Sequence, residues 1–271
     1  SYKDRYLLES NGRYDGTSRF PKDSRFGFFP SFSAAWRISN ESFMSSTNNW
    51  LDNLKIRASY GKLGNQQLGG NYYPYISSMP SGTSTFIMNS DLIPYVSASN
   101  IVSPSLTWET VESRNLGLDF TILKQRLDFS GDIYTRDTKN MLMQMKYPDY
   151  LGTDAPYQNA ANLRTKGWEV SLTWRDKIGK DWRYGVVLSL SDNQTKITKY
   201  DNPSGSLDEY YVGEKIGEIW GFQTEGIFQT QAEVDSHADQ SELGSNWGAG
   251  DIKYANLNGD NKVDWGSNTL S

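Results

Sequence analysis

The chain has 271 residues with no cysteine, one histidine (His237) and a formal net charge of −5. This excludes thiol catalysis, disulfide frameworks and His-cluster zinc sites, and leaves no basic face for nucleic acid. Aromatic residues reach 14% while hydrophobic residues total only 37%, a balance that suits half-wet surfaces better than a large aliphatic core. No apolar run approaches the roughly 18 residues of a membrane-spanning helix, so a membrane-crossing form would have to be a β-barrel.

Period-2 alternation dominates from the N-terminus onward. A weaker first strand is expected over Tyr6 to Tyr14. Phe28, Phe32, Ala34 and Trp36 then alternate with Ser31, Ser33 and Arg37, and Leu54, Ile56, Ala58 and Tyr60 with Lys55, Arg57 and Ser59. Leu116, Leu118 and Phe120 follow, opposite Asn115, Gly117 and Asp119; next, Leu127, Phe129 and Ile133 stand opposite Asp128, Ser130 and Asp132. The clearest strand is Gly167–Arg175, with Trp168, Val170, Leu172 and Trp174 on one face and Glu169, Ser171, Thr173 and Arg175 on the other. The last places Tyr184, Val186, Leu188 and Leu190 opposite Arg183, Gly185, Val187, Ser189 and Ser191. Seven strands are thus predicted, each with a spanning core of roughly 9–11 residues.

The connections alternate in length. Residues 123–126 and 177–181 are short turns, and 38–53 is of middling length. Long excursions occupy about 45 residues after Tyr60, about 30 after Tyr134 and everything after Lys196. Short turns at one end and long loops at the other are the pattern of an outer-membrane barrel. Trp168 and Trp174 bracket Val170 and Leu172 as girdle residues would. Alternation by itself also fits a soluble glycan-binding β-sandwich with the apolar face inward, so that alternative stays open.

Several strings carry a more specific signal. Asn11-Gly12-Arg13-Tyr14-Asp15-Gly16-Thr17-Ser18-Arg19-Phe20 precedes Arg25-Phe26-Gly27-Phe28-Phe29-Pro30-Ser31-Phe32-Ser33-Ala34-Ala35-Trp36-Arg37-Ile38. Downstream stand Leu54–Gln66, Pro104–Thr110 with Asn115–Phe120, Asn162–Glu169 and Gly226–Gln229. In this order and spacing the chain resembles the SusC/RagA-type TonB-dependent outer-membrane transporters. The resemblance implies an all-β fold, a segment of a large antiparallel transmembrane β-barrel of about 22 strands. Residues 1–200 would be barrel strands with their loops, and 201–271 a long extracellular loop region. It also implies an outer-membrane importer of oligosaccharides or peptides, embedded in outer-membrane lipid. A SusD-like surface lipoprotein would be its lid, and the TonB complex would act through an N-terminal part. The chain opens into strand-like sequence without a signal peptide, as a fragment of an exported protein would. The resemblance implies a plug domain before Ser1 and further strands after Ser271.

Two sets of residues are candidates for binding. Tyr72, Tyr73, Tyr75 and Tyr95 lie in the long excursion after Tyr60 and are expected to face solvent as carbohydrate or peptide platforms; packing between loops would explain them equally. Asn256, Asn258, Asp260 and Asp264 fill oxygen positions 1, 3, 5 and 9 of a calcium-type loop. Position 1 is neutral, position 6 is Asn261 in place of Gly, and position 12 is Ser267 in place of Glu. The expectation is a weak Ca²⁺ site or a turn held by Asx hydrogen bonds, with no other cofactor. Carboxylate pairs such as Asp208 with Glu209 and Glu214 with Glu218 read as solvated loop charge, not as a glycosidase pair, and no enzymatic activity is expected. A β-rich hydrolase is the remaining alternative.

Overall fold

The computed structural model describes all residues except 71, 89, 90, 146–149, 151, 153, 154, 267 and 271. It divides into two compact units, Ser1–Asp201 and Asn202–Ser271.

The first unit is built on one antiparallel sheet. Its strands are β1 (Tyr6–Gly16), β2 (Phe26–Arg37), β3 (Leu51–Asn65), β6 (Glu109–Ile122), β7 (Leu127–Gln144), β8 (Tyr157–Ile178) and β9 (Trp182–Lys199). They lie in the order β1-β2-β3-β6-β7-β8-β9, an up-and-down meander whose two edges are open. A separate hairpin, β4 (Ser81–Met88) with β5 (Asp91–Val96), is inserted between β3 and β6. All seven alternating segments of the sequence are strands of the sheet, and no other strand joins it among the described residues.

Hydrogen-bond register places the alternating apolar residues of neighbouring strands on one face. A single rung runs Trp36, Ile56, Leu118, Gly131, Val170, Leu190 across β2, β3, β6, β7, β8 and β9. On β9 this rung is the upper limit of the apolar run, because Asp192 follows on the same face. On β2 it is the lower limit, with Ala34 and Phe32 continuing upward. The apolar band therefore crosses the rungs obliquely, by slightly more than one residue per strand. With a rise of ~3.3 Å per residue and a strand spacing of ~4.8 Å, that corresponds to a strand tilt of about 40° from the normal to the band. Leu116, Ile133, Leu188 and Leu190 are each at least half exposed, so among the described residues no packed layer covers this face.

The strands outrun their apolar cores. β7 continues to Gln144 and β8 begins at Tyr157. The excursion expected to follow Tyr134 is thus mostly paired strand, and the connection itself is 145–156. Likewise β3 continues to Asn65, so the longest connection is 66–108, and the one between β2 and β3 ends at Leu51. Beyond the band the alternation breaks down, since Glu112, Asp137 and Arg164 stand on the band's own face while Leu142 and Tyr157 pack against a buried apolar cluster, and the backbone ladder persists where the side-chain pattern has ended. The short turns occur as expected. In the β6–β7 turn, Leu123, Lys124 and Gln125 all have left-handed backbone (φ 60, 58 and 64). The end of the β2–β3 connection and the start of β3 hold this turn: the Leu123 N–H donates to the Trp50 carbonyl at 2.8 Å, and the Gln125 N–H to the Asp52 carboxylate at 2.9 Å.

At the long-loop end the described β2–β3 register stops at Ser31–Gly61. The buried cluster there comprises Phe20, Phe29, Leu68, Leu106 and Trp108. Trp108 meets Phe20 and Phe29 edge-on, at centroid distances of 5.4 and 5.3 Å. A Cβ at Gly64 would stand 2.1 Å from the Phe29 ring, so only glycine leaves room for it. This cluster pins the feet of connections 17–25 and 66–108 to the sheet.

The second unit carries its own small core. β10 (Thr224–Ile227) pairs with β11 (Ile252–Tyr254), and the short helix α1 (Gln231–Ser236) begins at Thr230, whose hydroxyl accepts the Glu233 N–H at 3.2 Å. Phe228 and Val263 are buried, and the His237 ring packs against Phe228 at 5.3 Å. Buried Gln240 bridges to β11, donating to the Ile252 carbonyl at 3.1 Å and accepting the Tyr254 N–H at 3.3 Å.

Candidate functional site

The polar face of the sheet opposite the apolar band carries a charged network centred on Arg57. Arg57 donates to both oxygens of Asp132, Nη1 to Oδ1 at 2.7 Å and Nη2 to Oδ2 at 2.6 Å. It also donates to both oxygens of Asp119, at 3.0 and 3.2 Å, and to Ser130 Oγ at 3.1 Å. Lys55 adds an ion pair to Asp119 at 3.0 Å. Arg57 and Asp132 stand two strands apart, with Gly117 of β6 between them in register. A Cβ at Gly117 would lie 2.5 Å from Arg57 Cζ and 2.8 Å from Asp132 Oδ1, so the missing side chain is the path by which the arginine crosses β6. Planar bidentate pairing of this kind fixes geometry as well as charge. Sequence reading placed all of these residues on the polar face but did not join them; the signal was alternate charges on three strands, which only register brings together.

The loop tyrosines separate into two groups. Exposed Tyr72 and Tyr73 line an open groove of about 590 Å³ with Thr17, Ser18, Arg19 and Gln66. The Arg19 guanidinium lies over the Tyr72 ring at 5.2 Å and donates to the Gln66 carbonyl at 3.2 Å. Tyr75 is half-buried, contrary to the solvent-facing expectation, and its hydroxyl accepts from Arg25 at 3.3 Å. Tyr95 is exposed but sits on β5, opposite Gly82 of the inserted hairpin, and does not line this groove. Arg19 was not singled out from sequence; its stacking depends on a loop conformation that no local pattern specifies.

The calcium-type loop is a chain of Asx turns. Asn256 Oδ1 accepts the Gly259 N–H at 3.0 Å, and Asn258 Oδ1 the Asp260 N–H at 3.3 Å. Asp260 Oδ1 accepts the Lys262 N–H at 2.9 Å, and Asp264 Oδ1 the Gly266 N–H at 2.8 Å. Asp260 Oδ2 accepts from the Asn258 amide at 2.8 Å. Asn261 has φ 65, in the left-handed region that asparagine tolerates. Ser267 lies outside the described residues. Among those residues no group of three or more His, Cys, Asp or Glu gathers as a metal site. The acidic pairs near 208–218 serve local turns as well: Glu214 accepts the Tyr211 N–H at 3.2 Å and Asp208 the Asn268 amide at 2.8 Å. Partial burial, with Glu218 and Glu214 nearby, raises the Tyr211 phenol above its ordinary range.

An oblique apolar band, short turns at one end and a charged opposite face describe a piece of barrel wall. Residues 1–269 match the family model described as TonB dependent receptor-like, beta-barrel. The chain belongs to the TonB-dependent receptor β-barrel family. It is 32% identical to TonB-dependent receptor P26 of Formosa agariphila over 96% of this chain and 26% of that protein. It is also 32% identical to TonB-dependent receptor SusC of Bacteroides thetaiotaomicron, over 80% of this chain and 22% of that protein. A solved structure of the RagAB peptide transporter superposes with a TM-score of 0.67 at 25% identity, covering 83% of this chain and 25% of that one. The chain thus spans about a quarter of the length of these TonB-dependent receptors, and its open seven-stranded sheet is a partial segment of their barrel.

Proposed function

We propose that the full-length protein is an outer-membrane importer of oligosaccharides or peptides, driven by the TonB complex through an N-terminal part and closed by a SusD-like surface lipoprotein. This chain would supply wall and loops, without catalysis. The carrying observation is the two-faced sheet: an apolar band oblique to the rungs on one side, and the Arg57–Asp119–Asp132 network on the other. The band suits tilted strands in lipid and the network suits a wet lumen. A sandwich reading fares worse, because nothing covers the apolar face among the described residues.

Solvent identity tests the reading. In the membrane-embedded full-length protein, freed of any other cysteines, Leu172→Cys is expected to react with a lipid-phase reagent and resist a charged aqueous one. Thr173→Cys should do the reverse. Leu172→Cys shielded from both reagents would mean a protein core, and the lipid-facing assignment would fall.

Within the loops, the groove of Tyr72, Tyr73 and Arg19 is proposed as a contact surface for cargo, with aromatic faces and a stacked guanidinium offering contact at low rotamer cost. Tyr95, on its own hairpin, is proposed as a separate contact. Tyr75 is proposed to support the groove. Tyr72→Ala with Tyr73→Ala should slow cargo-dependent growth at unchanged levels of folded protein; unchanged growth removes the groove from the path. For the loop of Asn256, Asn258, Asp260 and Asp264 we propose at most weak Ca²⁺ binding. Two carboxylates supply little charge, and an ion would compete with Asx turns already formed. Calorimetry with Asp260→Ala as control checks this, and tight binding indifferent to that change would place the site elsewhere.

A further inference from the structure

The apolar face changes character abruptly toward the long-loop end. On β3, β6 and β8 the first position beyond the band on that face is Lys62, Arg114 and Lys166, next to Tyr60, Leu116 and Trp168 respectively. Register carries the charge sideways, since Lys62, Glu112, Asp137, Arg164 and Lys196 form one continuous rung across five strands. The two carboxylates are already claimed within the wall. Glu112 pairs with Lys139 at 2.8 Å, and Asp137 with Arg164 at 2.5 Å and with Arg114 at 3.6 Å. Lys62, Lys166 and Lys196 have no ion pair among the described residues. The one further carboxylate at this level is Asp192, so positive charge is in surplus. At the opposite end of β8, the first position beyond Trp174 is Asp176, paired with Arg126 at 3.4 Å.

We propose that this belt binds the phosphate-bearing headgroups of membrane lipids lying against the wall. It rests on the reading of the apolar face as lipid-facing. Lysines directly above an aromatic edge extend their stems along the apolar surface and hold the ammonium at headgroup depth. The fixed carboxylates orient the arginines, while the surplus lysines need an anion that the protein does not supply. A phosphate on a lipid anchored beside Trp168 is delivered at that depth and in that orientation; a soluble anion is not.

The test uses the full-length protein in phosphatidylcholine nanodiscs doped with phosphatidic acid, with retained lipid counted by native mass spectrometry. The wild type should retain phosphatidic acid over phosphatidylcholine. Lys62→Gln with Lys166→Gln should cut that preference roughly tenfold or more, each lysine near a membrane surface being worth a factor of about five. Because neither lysine has an ion pair among the described residues, the variant should still assemble, and Lys62→Arg with Lys166→Arg should keep the preference. Equal retention by wild type and the Gln variant overturns the inference, as does displacement of the lipid by inorganic phosphate, which would make this a soluble-anion site. An embedded protein with no preference refutes the inference alone, whereas one that never enters the disc refutes the lipid-facing reading with it.

Discussion

Gly117→Ala should destabilise the wall, against the usual direction. An interior strand glycine replaced by alanine ordinarily gains roughly 0.5–1 kcal/mol from reduced backbone entropy in the unfolded chain. Here the new methyl carbon would sit 2.5 Å from Arg57 Cζ, 2.7 Å from Nη1 and 2.8 Å from Asp132 Oδ1. The guanidinium must withdraw, and the two hydrogen bonds to Asp132 go with it. Charge-assisted bonds contribute about 1.5–3 kcal/mol each. Arg57 is 31% exposed and faces a wet surface, so solvent screening reduces the pair to roughly 2–3 kcal/mol. Set against the backbone gain, a net loss of about 1–2 kcal/mol remains. Thermal unfolding of the full-length protein, followed by the heat-dependent shift of folded barrels on gels, measures it. A cycle with Asp132→Asn isolates the cause, because the glycine substitution should cost little once the ion pair is gone. A Gly117→Ala protein as stable as wild type, or effects that simply add, would refute the account of how Arg57 crosses β6.

Three further outcomes are expected. Phe29→Ala empties the centre of the loop-end cluster, a loss of about 3–5 kcal/mol for a buried aromatic; limited proteolysis within 66–108 should accelerate, and unchanged cleavage would show that the loop feet are held otherwise. Lys124→Gly should raise stability by about 1 kcal/mol, since one of three successive left-handed residues in the β6–β7 turn would lose its Cβ penalty; a lower melting temperature would contradict this. Glu41 accepts hydrogen bonds from Tyr6 at 2.7 Å and Trp36 at 3.1 Å, and these, with Arg5 nearby, hold its carboxyl below the usual range. A depressed carboxylate pKa stabilises the fold above the unfolded value of about 4.3 and loses that contribution as pH falls through the folded value. The melting temperature should therefore drop in that acidic window, and Glu41→Gln should remove this part of the drop.

Alternation revealed strands only where one face meets an apolar medium. The run Trp168–Trp174 was legible because every second residue is apolar, whereas the extensions to Gln144 on β7 and back to Tyr157 on β8 were not. There Glu112, Asp137, Lys139 and Arg164 put charge on the same face as the band, and nothing in the pattern separates paired strand from loop. Phe29 was invisible for a related reason. It occupies a position of the polar face, and its burial depends on Leu68, Leu106 and Trp108 arriving from a distant connection. The order of strands followed from the short turns, but Arg57, Asp119 and Asp132 needed exact pairing before they became one network. The Asx loop was the reverse case, because its side chains bond within a few residues and spacing alone described it.

The long connection between β3 and β6 begins and ends on one rung, Asn65 opposite Glu109. Its feet are clamped separately by Leu68, Leu106 and Trp108 around Phe29. Among the described residues, none between about 69 and 105 contributes a rung to the wall, and the entropy of closing such a segment rises by only about 0.6 kcal/mol for each doubling of its length. The stretch behaves as an exchangeable cassette. New sequences, longer or shorter, could be spliced there to greet a different cargo while the ladder beneath them keeps its register and its tilt.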